Sequence, residues 1–137
     1  MEELRTIAGY IAENYGSAVR IVEVGVGKVP ETVRELRRLL PKCQLVVTDI
    51  EEPEELPGGV KFVRDDVTVP NVQIYEGASL VYSIRPPSEL QPSLFKIARK
   101  VGADLLIKSI AGEEALEGGG PVNYQGTTFH LFRAERD

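Results

Sequence analysis

The residues of this chain whose types and spacing could do chemistry are Glu23, Gly25, Gly27, Asp49 and the pair Asp65-Asp66. The first three close an apolar run, Val19-Arg20-Ile21-Val22-Glu23-Val24-Gly25-Val26-Gly27-Lys28. β-Branched runs of this kind belong to buried strands, and glycines directly after one let the backbone turn sharply beside a ligand. A helix expected from about Pro30 would direct its free N–H groups at the same place. Asp49 closes a second run, Leu45-Val46-Val47-Thr48. It stands about 22 residues beyond Gly27, where α/β nucleotide folds hold an acid for ribose hydroxyls. An ionised carboxylate can accept from both hydroxyls at once. Acids also cap helices and turns, so the glycine loop at that distance is what favours ribose. The pattern reads as a cofactor cradle.

Three glycine motifs compete for that loop. A triphosphate-binding loop needs glycine at position 22 and Ser or Thr after Lys28, where this chain has Val22 and Val29. The dinucleotide fingerprint needs glycine at position 30, where Pro30 stands, and Glu23 would repel its pyrophosphate. The third fits: Glu23-Val24-Gly25-Val26-Gly27 resembles motif I of the class I S-adenosylmethionine-dependent methyltransferases, with Val29 in place of a third glycine. Adenosylmethionine carries a sulfonium and an ammonium group, so an acid nearby favours it.

The resemblance extends over residues 19–132 and implies further roles. Phe62-Val63-Arg64-Asp65-Asp66-Val67 is similar to the family's third motif, which places Asp66 on the adenine amino group and Val67 against the ring. Asp65 stands where the family often has glycine and is the alternative ligand. Paired acids in a turn are usually solvated, but three acids after three successive strands converge on one crevice in this architecture. Ser83-Ile84-Arg85-Pro86-Pro87 occupies the place of motif IV, beside the transferable methyl, so Ser83, Arg85 and Pro86 are the candidates bordering the acceptor. Amino-methylating members often carry Asn or Asp there, followed by two prolines that Pro86 and Pro87 match, whereas Arg85 has no lone pair to accept from an amine and suits a substrate carboxylate or phosphate. Two prolines after a strand also enforce a rigid turn.

The whole chain is similar to a small, uncharacterised archaeal family that is methyltransferase-like. The resemblance implies a minimal domain binding S-adenosylmethionine or S-adenosylhomocysteine, with an unspecified methyl acceptor. The alternative is a non-catalytic interaction or regulatory module. Methyltransferases of this class usually add a cap to a larger core, so a second copy or a partner subunit could supply what this chain lacks.

The elements that must position these residues follow from periodicity. Leu4, Ile7, Ala8, Ile11, Ala12 and Tyr15 recur at helical spacing up to Gly16. A strand over 19–24 precedes a helix opened by Pro30 and Thr32 and stopped by Pro41. Further strands are expected over 45–48, 60–63, 79–84 and 103–107. At most a short helix falls over 71–76, and a longer one reaches Val101 from a capping box of Ser88 and Gln91. Residues 51–59 and 112–120 read as loops, and residues 122–125 and 127–132 flank Gly126 as a hairpin. The expected fold is α/β and doubly wound on a mostly parallel sheet, a truncated Rossmann-like core over residues 1–137 as one domain, with the C-terminal hairpin antiparallel.

Composition bounds the rest. A formal charge of −5 gives no general attraction to nucleic acid or anionic lipid. Arg34, Arg37, Arg38 and Lys42, and again Arg99 and Lys100, have the spacing of solvated helix faces. The single cysteine, Cys43, excludes an internal disulfide and a multi-thiol zinc site, and suits a small buried residue. No apolar run approaches the roughly 20 residues of a membrane span, and the acidic amphipathic start predicts a cytoplasmic protein. His130, the one histidine, falls in the last strand, where a structural or surface role is expected.

Overall fold

The computed structural model describes residues 2–25, 27, 30–110 and 120–135. In chain order the elements are α1 (Glu2–Asn14), β1 (Arg20–Val24), α2 (Glu31–Leu39), β2 (Gln44–Asp49), β3 (Val60–Arg64), β4 (Ala78–Ile84), α3 (Gln91–Val101), β5 (Asp104–Lys108), β6 (Gly120–Tyr124) and β7 (Thr127–Phe132). They build one seven-stranded sheet in the order β3-β2-β1-β4-β5-β7-β6. The first five strands are parallel, while β7 runs antiparallel to both β5 and β6. The chain therefore winds outward from β1 to β3, returns to β4 at the centre, and winds the other way. That reversal opens a crevice above the carboxyl ends of β1 and β4.

Both sheet faces are covered, which is why the central strands read as continuous apolar runs. Ile21, Leu45, Val47, Leu80, Tyr82 and Leu106 pack in one cluster with Leu4, Ile7 and Ile11 of α1 and Val33 and Leu36 of α2. The alternate residues Val22, Val46, Val81, Leu105 and Ile107 join Leu94 and Ile97 of α3 and Tyr75 in a second cluster. The three-four spacing of the helical members matches their one-sided burial.

Two local features depart from or refine the expected elements. Ser88 and Gln91 form no capping box: Ser88–Leu90 is a 3-10 turn, and α3 begins at Gln91 without a side-chain cap. Pro92 lies in the first turn of α3, where its missing N–H leaves no bond unmade. The C-terminal hairpin turns through Gln125 and Gly126, both at positive φ (50° and 82°), the type I′ geometry that matches strand twist. Residues 51–59 form a loop up to the start of β3, and of the expected loop over 112–120 only Gly120 lies within the described residues.

Candidate functional site

At the end of β1 the backbone leaves the sheet through Gly25 and Gly27, at φ +74° and +67°. No described atom lies within 4 Å of where a Cβ would sit on either glycine. Positive φ, and not crowding, is what calls for glycine here. The N–H of Gly25 donates to the Thr48 carbonyl at 2.8 Å, extending the ladder to β2. The N–H of Gly27 then donates to Asp49 Oδ2 at 3.2 Å, and Ile50 N–H donates to Asp49 Oδ1 at 2.7 Å. Asp49, the last residue of β2, thus pins the glycine loop beside its own carboxylate.

A hollow of about 730 Å³ opens at this junction, lined by Gly27, Asp49, Ile50, Glu51, Glu52, Pro53 and Glu54. Its volume falls in the range of small-molecule sites. None of these lining residues is basic. Ile50 is 63% exposed beside it, an apolar wall that sequence reasoning missed. The available signal was a branched aliphatic directly after a strand-terminal acid.

The other expected cofactor residues are not on the lining. Glu23 is buried among the core residues, and its Oε1 accepts from the Tyr82 hydroxyl at 2.6 Å. Burial pushes its carboxyl up to about 8, with Tyr82 opposing and the charge of Asp49 adding to the rise. At neutral pH the protonated, uncharged acid prevails. Asp66 is exposed, and its Oδ1 accepts from the N–H and the hydroxyl of Thr68 at 2.9 and 2.6 Å. Those bonds, the hydroxyl's first, hold it below the usual carboxylate range. Asp65 turns the other way, accepting from Asn71 N–H at 3.0 Å and from the Tyr75 hydroxyl at 2.7 Å. Val67 is buried in the second core cluster. Gly27 and Asp49 are therefore brought together, and the Asp65-Asp66 turn follows one strand further out.

Of the candidates after β4, Ser83 is buried and donates to the Val24 carbonyl at 2.8 Å, tying β4 to β1. Pro86 is buried too, whereas Arg85 is exposed. Arg85 adopts φ +51° and donates its N–H to the Lys108 carbonyl at 2.6 Å. Its Nη2 meets Glu3 Oε2 at 3.0 Å, while Lys108 Nζ meets Glu3 Oε1 at 2.8 Å. His130 lies in β7 with its Nδ1 buried and without a partner among the described residues. Cys43 is buried. Among the described residues no group of three or more His, Cys, Asp or Glu could hold a metal ion, and no helix is long and apolar enough to cross a membrane.

A smaller hollow of about 370 Å³ opens at the opposite end of the strands, lined in part by Tyr15, Asp104 and Arg133. There the Tyr15 hydroxyl and Ala134 N–H both donate to Asp104, at 2.6 and 2.7 Å. These bonds tie the end of α1 and the C-terminal segment to β5.

Solved structures share this architecture. An O-methyltransferase from neocarzinostatin biosynthesis, determined with S-adenosylmethionine and 2-hydroxy-5-methyl naphthoic acid, matches with a TM-score of 0.66 at 12% identity, over 96% of this chain and 56% of that one. An O-methyltransferase family protein from Burkholderia thailandensis gives 0.62 at 13% identity, with the same two coverages, 96% and 56%. A fibrillarin/Nop5p complex gives 0.61 at 13% identity over 96% and 83%. The chain spans little more than half the length of the first two. The class defined is therefore a methyltransferase-like, Rossmann-like fold. Within it, the chain belongs to the uncharacterised protein family UPF0146, whose model matches residues 4–134. The UPF0146 proteins of Archaeoglobus fulgidus and Methanothermobacter thermautotrophicus are 47% and 43% identical to it, each over 94% of both chains.

Proposed function

We propose that the hollow beside Asp49 holds the nucleoside end of S-adenosylmethionine or S-adenosylhomocysteine, and that the chain is a minimal methyltransferase-like domain acting on an acceptor still to be identified. The contact between Gly27 and Asp49 carries this reading. A carboxylate has about four acceptor directions. Two are taken by the N–H groups of Gly27 and Ile50, which leaves two for a pair of ribose hydroxyls. Asp49, Glu51, Glu52 and Glu54 around the hollow disfavour a phosphate and tolerate a sulfonium. Glu23 serves from beneath, as a neutral support of the loop. Asp66 and Val67 belong to the segment nearest the expected adenine end, with Asp66 the more accessible of the paired acids.

Calorimetric titration with adenosylmethionine, adenosylhomocysteine and NAD tests the proposal. Heat is expected from the first two and not from NAD, and Asp49→Ala should abolish it. Silence from all three in folded protein would turn the reading to a non-catalytic interaction module. That alternative is favoured by Ser83 and Glu23, whose polar groups are both spent inside the sheet. Transfer of label from adenosylmethionine into a cell extract separates an enzyme from a binder.

A further inference from the structure

At the carboxyl ends of β4 and β5, Arg85 and Lys108 share one carboxylate, that of Glu3 in the first turn of α1. Each oxygen of Glu3 takes one cation, so the carboxylate bridges a guanidinium and an ammonium. Lys108 does not depend on Glu3 for its place, and the backbone of Arg85 is fixed as well. Lys108 Nζ also donates to the Thr128 carbonyl at 2.8 Å, and Arg85 is anchored through its own N–H on the Lys108 carbonyl. Arg85 further holds a left-handed backbone at φ +51°. For a residue with a Cβ that conformation is strained, and such strain gathers at binding sites. The bridging carboxylate itself is accessible: the Glu3 side chain is 38% exposed, against 41% for Arg85 and 17% for Lys108. Exposed pairs of this kind contribute little to stability, so the occupant is held weakly between the two cations.

We propose that Arg85 and Lys108 form the recognition site for a carboxylate on the methyl-accepting small molecule, and that Glu3 fills this site as an internal stand-in until the acceptor displaces it. The proposal rests on the cofactor reading for the word acceptor. The two cations lie across the β1–β4 reversal from the Asp49 hollow, so an acceptor anchored there reaches toward the crevice between them. The carboxylate is chosen over phosphate because the geometry already seats one, with its two oxygens divided between the two cations.

The test is a titration of 15N-labelled protein, saturated with adenosylhomocysteine, with sodium acetate at constant ionic strength. Acetate should shift the Arg85 and Lys108 signals and saturate in the millimolar range. Glu3→Gln, which removes the competing charge, should lower the half-saturation concentration roughly three- to tenfold. Arg85→Gln and Lys108→Met should each abolish saturation; the second serves if the first folds poorly. A purely structural tie predicts no acetate site in any variant, and that outcome overturns the proposal. Saturation by inorganic phosphate and not by acetate overturns the carboxylate assignment. The amides of Gly27 and Ile50 report adenosylhomocysteine separately, so their silence would sink the cofactor reading and leave the acetate result to be judged by itself.

Discussion

Glu23 shows how one side chain's direction decides its chemistry. It lies one residue inside the end of β1, between Val22 and Val24, in a sheet covered on both faces, so its carboxyl must enter the core. Asp49 is the terminal residue of β2 and only half-buried, so it can reach the crevice. Residue type was readable from the sequence, but the one-position difference between inside and end depends on where each strand stops. Burial raises the Glu23 carboxyl from its ordinary 4.5 to about 8, so the folded state holds this proton more tightly than the unfolded chain. Stability from this group is complete below pH 4.5, declines as the pH rises, and is lost once it passes about 8. The total is on the order of a few kcal/mol. Urea midpoints of the wild type should therefore fall between pH 5 and pH 9. Glu23→Gln, whose amide oxygen can still accept from Tyr82, should flatten that decline, and an unchanged slope would place the titrating group elsewhere.

The loops between elements carry what the periodic segments do not. Strand and helix positions were readable because the apolar spacing is regular, from Leu4 through Ile11 in α1 to the alternation of Thr127–Phe132 in β7. Less readable was the start of α3, because Ser88 and Gln91 satisfy a capping pattern while Pro92 fixes the first turn. Gly25 and Gly27 were readable as a turn, and the space around both Cβ positions, free of described atoms, separates conformational cost from packing cost. Gly25→Ala and Gly27→Ala should each lose about 1–2 kcal/mol in urea denaturation, the cost of a left-handed residue with a Cβ. A markedly larger loss would mean the loop packs against something the strain argument omits. The hairpin offers the opposite sign. Gln125 holds φ +50° in a turn that prefers Asn or Gly, so Gln125→Asn should raise the urea midpoint by the equivalent of up to about 1 kcal/mol.

Among the described residues, the carboxyl edge of the sheet is where polar and apolar surface are exposed together. Of the four large hydrophobic residues exposed among those described, Ile50, Val69 and Ile110 lie at that edge and only Val19 at the other. The neighbouring O-methyltransferase folds are longer, with this chain spanning 56% of two of them, and a cap over this edge is the kind of addition such length allows. Binding at this edge would add to the stability of the folded chain. A ligand that binds only the folded state adds RT ln(1 + [L]/Kd), about 2.7 kcal/mol at a hundredfold excess over Kd. For a domain of 137 residues that corresponds to a rise in melting temperature of roughly 9 °C. Scanning calorimetry with adenosylhomocysteine should show this rise in the wild type and not in Asp49→Ala. Repeating the scan at two protein concentrations separates a second copy from the nucleoside as the stabilising partner, since only self-association makes the ligand-free midpoint climb with concentration. A midpoint that climbs with concentration but ignores adenosylhomocysteine would assign the open edge to a protein neighbour and remove the nucleoside from it.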